Sequence, residues 1–131
     1  MIAVDTNVLV RFLVEDDARQ TARARALFHR TIESGSKAFV SDVVLCELVW
    51  VMERSYKVRR EEIAQILGRL LRASHLAFSS SEIPIQALES FEAGSGDFAD
   101  YLIREHASYQ GCEAVATFDG DLLKETGFVK V

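Results

Sequence analysis

The chain has 131 residues, of which 49% are hydrophobic and 27% charged, and a formal net charge of −5. This length and composition are typical of one globular protein with its own core, so we expect a single domain over residues 1–131. No apolar run is long enough to span a membrane, no basic segment precedes an apolar one at the start, and the negative charge argues against a general electrostatic attraction to nucleic acid.

Short apolar strands alternate with helical patterns along the chain. The opening residues Ile2, Ala3 and Val4 predict a buried strand, and a helix is expected to begin near Val8. The segments KAFVS, HLAF, AVATF and FVKV predict further strands, and AVATF has the composition of a fully buried one. Two cysteines, Cys46 and Cys112, lie in apolar patterns without metal-ligand spacing, which predicts buried thiols in a reducing compartment and hence a cytoplasmic protein.

Helical patterns fill the intervals between these strands. One predicted helix has an apolar stripe with arginines on the opposite face, and a helix is expected to follow Ser41 or Asp42. A second apolar stripe predicts the next helix, and a further helix begins at Pro84 and ends at Gly94. The first stripe consists of Ala24, Leu27, Phe28 and Thr31, and the second of Ile63, Ile66, Leu67, Leu70 and Leu71. Helices that alternate with strands indicate an α/β sandwich around a mainly parallel sheet.

Polar residues follow the first and the fourth predicted strands. Asp5, Thr6 and Asn7 separate the opening strand from its helix, and they have the side chains that cap helices. Asp119 and Asp121 follow AVATF in the segment TFDGDLL, where an Asp-Gly turn is the alternative interpretation. Because ligands bind beyond the carboxyl ends of parallel strands, Asp5 and Asp119 are candidates for one site.

Glu47 is the only charged residue in the segment VVLCELVWVM. Its neighbours three and four positions away on a helix are all apolar, so the pattern predicts a buried carboxylate. Such a carboxylate is costly unless it binds a metal ion or pairs with a cation. A structural ion pair with an arginine is the alternative to a functional role.

Asp97 and Asp100 begin another helix, in the segment GSGDFADYLIREHA. Asp97 is a natural N-cap, and Asp100 could pair with Arg104 one turn later, so a capped helix start would explain both residues. Two carboxylates one turn apart also suit metal chelation. Carboxylates from four segments would repel one another in a shared crevice unless cations were bound, and oxygen ligands favour Mg²⁺ or Mn²⁺.

Four segments, taken together, resemble the acidic motifs of PIN-domain ribonucleases. These are IAVDTNVLVRFL, VSDVVLCELVWVM, DFADYLIREHA and ATFDGDLL, in the family's order, and the likeness is greatest to the VapC-type toxins of toxin–antitoxin pairs. The resemblance implies a flavodoxin-like three-layer α/β/α sandwich with a mainly parallel central sheet. It also implies a Mg²⁺- or Mn²⁺-dependent endoribonuclease, a homodimer and a VapB-type antitoxin partner.

The resemblance extends to individual residues. Asp5, Glu47 and Asp119 match the first, second and fourth acids, and Asp100 matches the third better than Asp97 does. We expect Asp5 and Asp100 to ligate the metal most directly, with Glu47 and Asp119 completing the anionic pocket. The supporting positions are Thr6, Asn7, Asp97, Thr117 and Asp121.

Two further interpretations concern the substrate and the main alternative function. Arg19, Arg23, Arg25 and Arg30 lie in one segment, where they either form a solvated helix face or contact RNA phosphates beside the acidic site. The alternative function is a catalytically silent interaction module with the PIN fold, which would keep the site without turnover. A nuclease assay with and without EDTA separates the two.

Overall fold

Six α-helices, five short β-strands and one 3₁₀ turn make up the chain, and the computed structural model describes all 131 residues. In chain order the elements are β1 (Ile2–Ala3), α1 (Thr6–Leu13), α2 (Ala18–Glu33), β2 (Ala38–Phe39), α3 (Asp42–Arg54), α4 (Arg60–Arg72), β3 (Leu76–Ala77), α5 (Glu82–Ala93), α6 (Phe98–Tyr109), β4 (Val115–Thr117), the 3₁₀ turn (Leu122–Lys124) and β5 (Phe128–Lys130). None of the helices combines the length and the apolar character that crossing a bilayer requires. The chain divides into two units, Met1–Ser79 and Ser80–Val131.

The first unit is built on a three-stranded parallel sheet with the order β1-β2-β3. Two helices connect each strand to the next, as parallel strands require. The helices bury the apolar stripes that the sequence predicts, because residues three and four apart share one face. The fully buried side chains of this core include Leu9, Leu45, Leu48, Met52, Ile63 and Leu67.

The second unit contains α5, α6 and a parallel pair of strands, β4 and β5. Phe91 and Phe98 pack edge to face, with ring centroids 6.0 Å apart, and this contact joins the two helices. Tyr101 is also fully buried here. The α/β class and the parallel pairing of strands are therefore confirmed, and each predicted strand segment contains a strand.

The predicted burial of the first and fourth strands is wrong. Ile2 is 49% exposed, and Phe118, directly after β4, is 89% exposed. β1 is an edge strand of its sheet, and β4 pairs with β5 alone, so each has one hydrogen-bonded neighbour. An edge strand keeps part of its apolar surface in contact with solvent, and composition alone does not reveal which strand takes the edge.

The two cysteines differ from each other in burial. Cys46 is partly buried, and this burial, with a smaller contribution from the charge of Asp42, raises the pKa of its thiol to about 11. Cys112 is exposed, so the prediction of a second buried thiol is wrong. The residue lies just after the end of α6, where the chain turns back toward β4.

Candidate metal and catalytic site

Asp5 lies at the junction between β1 and α1, where it is the N-cap of the helix. Its backbone is extended (φ −83°, ψ 164°), and its Oδ1 accepts a hydrogen bond from the Thr6 N–H at 2.7 Å. The capping interpretation is thus correct, but it uses only one carboxylate oxygen. Asp5 is exposed, so capping does not prevent the carboxylate from binding a cation.

Thr6 connects Asp5 to Glu47 in the first unit. The threonine is buried, its N–H donates to Asp5, and its hydroxyl donates to Glu47 Oε2 at 3.2 Å. The two carboxylates therefore share one residue that fixes both, and we call Asp5, Thr6 and Glu47 the first acidic cluster. Asn7 is exposed one position further along α1.

The prediction that Glu47 is buried is wrong. Glu47 is exposed, and so are two apolar neighbours on its face of α3, Val43 (66%) and Trp50 (42%). An apolar sequence around a carboxylate indicates burial only if that helix face is covered, and this face is not. The alternative of a structural ion pair with an arginine is also not observed, since Glu47 is hydrogen-bonded to Thr6 instead.

The second acidic cluster, Asp97, Asp100 and Asp119, lies in the second unit. Asp97 is the N-cap of α6, and its backbone N–H donates to Asp100 Oδ2 at 3.2 Å, as in a capping box. Burial raises the pKa of Asp100 above its usual value, and the charges of Asp97, Asp119 and Glu125 raise it further, against the opposing effect of the Asp97 N–H bond. The shift is in the direction expected of a partly buried carboxylate with other acids near it.

Arg104 does not neutralise this cluster. The arginine forms an ion pair with Glu105 (3.0 Å), donates to the Thr126 carbonyl (3.0 Å) and lies over the ring of Tyr101. The expected pair between Asp100 and Arg104 is replaced by these contacts. The ion-paired helix start therefore fails as an explanation of Asp100, although its capping part is correct.

Asp119 forms the predicted turn after β4. Its Oδ1 accepts from the Asp121 N–H at 2.9 Å, and its own N–H donates to the Thr117 hydroxyl at 3.0 Å. Thr117 thereby holds the backbone at Asp119. Asp121 is exposed and its carboxylate lies 3.5 Å from Lys124 Nζ, so in this structure it has a cation partner of its own.

Tyr101 and Glu125 are parts of the second unit that sequence reasoning missed. The buried Tyr101 hydroxyl lies 2.7 Å from Glu125 Oε1 and accepts the Gly96 N–H at 2.9 Å. A Cβ at Gly94 would collide with the same hydroxyl, so the glycine loop before Asp97 is fitted around it. Nothing in the sequence distinguishes Glu125 from glutamates that only face solvent.

Tyr101→Phe should destabilise the protein by about 1–3 kcal/mol, because the Glu125 carboxylate and the Gly96 N–H both lose a partner. Urea unfolding measures the change. Tyr109→Phe is the matched control, since Tyr109 lies on the same helix, is 77% exposed, and should be neutral. Equal stability of Tyr101→Phe and wild type would mean that this hydroxyl does not support the loop.

The donor atoms of both clusters suit a hard cation. They are carboxylate and hydroxyl oxygens, which Mg²⁺ and Mn²⁺ prefer. In neither unit do three His, Cys, Asp or Glu side chains come together as a complete ligand set. Fewer than three protein ligands in one place is compatible with Mg²⁺, because this ion commonly keeps several waters and takes one or two protein carboxylates.

Comparisons with known proteins agree with the motif assignment. A family model described as "PIN domain" matches residues 2–129. A VapC ribonuclease of Aquifex aeolicus (strain VF5) is 28% identical over 131 residues, which cover the whole chain and 96% of that protein. The crystal structure of Mycobacterium tuberculosis VapC20, described as a Sarcin-Ricin loop cleaving toxin, matches with 24% sequence identity and a TM-score of 0.41. The match covers all of the present chain and 98% of the VapC20 chain.

The family assignment does not depend on the structural likeness, which is weak. It follows from the family model, whose match runs through all five strands except the last residue of β5. The predicted resemblance to the PIN-domain family is confirmed by the family model, and the 28% identity to the Aquifex aeolicus VapC ribonuclease agrees with the VapC-type likeness. The chain belongs to the PIN-domain family.

Proposed function

We propose that the protein is a Mg²⁺- or Mn²⁺-dependent endoribonuclease and the toxin of a type II toxin–antitoxin pair. The observation that most supports this proposal is that the acids at the four motif positions of a PIN-domain chain are exposed or partly exposed and are held by hydrogen bonds. The match of the family model through both units supports one functional domain over residues 1–131.

The proposal assigns a role to each acid. Asp5 and Asp100 ligate the cation, and Glu47 and Asp119 complete the anionic pocket. When bound, the cation lowers the pKa of a water molecule and neutralises charge on the phosphate. Thr6 holds the Asp5 and Glu47 side chains, and Thr117 holds the turn that presents Asp119, so these two residues position the acids.

The raised pKa of Asp100 supports its assignment as a metal ligand. A carboxylate that is partly buried beside other acids is unfavourable as an isolated anion, and a divalent cation removes that penalty. Asp97 already serves as the N-cap, and Asp121 has Lys124 beside it. Asp121 therefore fits a supporting position better than direct ligation. Asp97 is assigned a supporting position because Asp100 matches the third motif acid better.

A nuclease assay on the purified chain tests the activity. We expect cleavage of single-stranded RNA with Mn²⁺ or Mg²⁺ and none with excess EDTA. Cleavage that persists in EDTA would contradict the metal dependence. A folded protein that binds the metal but cleaves no RNA would favour the alternative, a catalytically silent interaction module with the PIN fold.

The proposal includes a VapB-type antitoxin and a homodimer, both of which rest on the similarity to VapC proteins. An accessible cluster of acids should be blocked by an antitoxin segment whose basic residue reaches the carboxylates.

Expression of the chain alone should therefore arrest growth, and co-expression of a small neighbouring gene should relieve the arrest. Viable counts after induction measure the effect, and expression of Asp5→Asn is the control that should not arrest growth. Size-exclusion chromatography with light scattering tests the dimer. Normal growth with wild type, together with the absence of a co-purifying partner, would contradict the toxin assignment.

A further inference from the structure

A groove of about 600 Å³ lies on the first unit between α1 and α2. Asn7 and Arg11 line it from α1, and Gln20, Arg23 and Arg30 line it from α2. Two alanines of α2 also line the groove, and their small side chains leave it open. Pockets of this size hold small molecules or short segments of larger ligands.

The groove is basic although the protein is acidic. The chain has 20 acidic and 15 basic residues, yet three arginines line this groove and no Asp or Glu does. A local surplus of positive charge with low-dielectric walls attracts anions even when the net charge is negative. The groove is therefore suited to an anionic ligand.

The arginines differ in how firmly they are held. Arg11 donates to Gln20 Oε1 (2.5 Å), to the Tyr56 hydroxyl (3.0 Å) and to Asp16 Oδ1 (3.1 Å), so its position is fixed by the protein. Arg23 and Arg30 are exposed and have no carboxylate partner. Their guanidinium groups are free to pair with a ligand.

The spacing of these two arginines favours an extended ligand. Residues seven apart lie on the same face of a helix and are separated by about 10 Å along its axis. A single phosphate would be held by neighbouring donors, whereas charges at this spacing suit successive groups along a polyanion. At the other wall of the groove Asn7 belongs to the first turn of α1, two residues after the N-cap Asp5, so this end of the groove lies at the helix terminus that carries the first acidic cluster.

We propose that this groove binds the sugar–phosphate backbone of the RNA strand and guides it to Asp5 and Glu47. The identity of the ligand as RNA rests on the proposed function, whereas the anionic character of the ligand rests on the groove itself. Arg23 and Arg30 contact phosphates outside the reacting centre, and their charges offset the repulsion between the strand and the acids. They are positioning residues.

RNA binding in EDTA tests the proposal without requiring catalysis. Fluorescence anisotropy of a short labelled single-stranded RNA gives the dissociation constant between about 50 and 200 mM salt. Arg23→Gln and Arg30→Gln should each weaken binding roughly fivefold at low salt and reduce the slope of log affinity against log salt by about 0.7. Arg19→Gln is the matched control, because Arg19 is exposed on the same helix outside the groove.

Three outcomes would overturn the proposal. The groove variants bind like wild type, or Arg19→Gln weakens binding as much as they do, or a polyglutamate peptide binds more tightly than RNA with the same dependence on Arg23 and Arg30. The last result would assign the groove to an acidic protein segment. Cleavage with Mn²⁺ is measured separately, so groove-dependent binding without cleavage would contradict the proposed activity and leave this inference standing.

Discussion

Asp5→Asn should abolish metal-dependent cleavage of RNA and leave the protein folded. The substitution removes a carboxylate ligand together with part of the negative charge that attracts the cation, so we expect activity to fall on the order of a hundredfold or more. Asparagine caps helices as well as aspartate does, and its side-chain oxygen can still accept the Thr6 N–H. Cleavage of labelled RNA with Mn²⁺, measured beside the melting temperature, separates the two effects.

The first unit provides a matched control for this variant. Asp17 is the N-cap of α2, where its Oδ1 accepts the Gln20 N–H at 2.9 Å, and it belongs to neither acidic cluster. Asp17→Asn makes the same chemical change at an equivalent helix start and should keep full activity. Undiminished cleavage by Asp5→Asn, or equal losses in both variants, would contradict the assignment of Asp5 as a ligand.

The elements of the fold could be predicted because each one has a local cause. Cap chemistry predicts helix starts at Ser41 or Asp42 and at Asp97, and in the structure Ser41 and Asp97 are the N-caps of α3 and α6. The stripe with Phe28 and Thr31 was predicted by helical periodicity and is buried. Such signals depend on neighbours within a few residues, which a sequence displays directly.

Burial was predicted less well because it depends on partners distant in the chain. Glu47 has apolar neighbours and is exposed all the same, since its face of α3 is uncovered. Phe118 follows an apolar strand whose single neighbour is β5. Hydropathy gives the preference of each side chain, but the order of strands and the packing of helices decide which faces are covered.

The candidate site likewise combines local features, which the sequence predicts, with contacts between residues distant in the chain. The capping roles of Asp5 and Asp97 and the turn at Asp119 follow from local rules, and the structure contains all three. The hydrogen bond between Thr6 and Glu47 joins residues 41 positions apart, and the one between Tyr101 and Glu125 joins residues 24 positions apart. The resemblance to a family pointed to Thr6 and Glu47, whereas no sequence signal pointed to Tyr101 and Glu125.

Asp100 provides a test of the metal site that needs no RNA. Its pKa is raised by burial and by the charges of Asp97, Asp119 and Glu125, so its ionised form is less favourable in the folded protein than in the unfolded chain. The contribution of Asp100 to the free energy of unfolding therefore falls as pH rises through the range in which this carboxyl group loses its proton. Asparagine has no charge to lose, yet its oxygen can still accept the Asp97 N–H.

In EDTA at neutral pH, Asp100→Asn should match or exceed the thermal stability of wild type. This advantage should disappear as pH falls below about 3, where the carboxyl group is protonated in both the folded and the unfolded state. Saturating Mn²⁺ should then raise the melting temperature of wild type on the order of 10 °C, since a ligand at a hundred times its dissociation constant adds about 2.7 kcal/mol. The variant should gain little. Asp97→Asn, measured in parallel, keeps the N-cap and should retain most of the metal-induced shift. If Mn²⁺ stabilises Asp100→Asn as much as wild type but no longer stabilises Asp97→Asn, then Asp97 is the third acid of the site, and the raised pKa of Asp100 reflects only its surroundings.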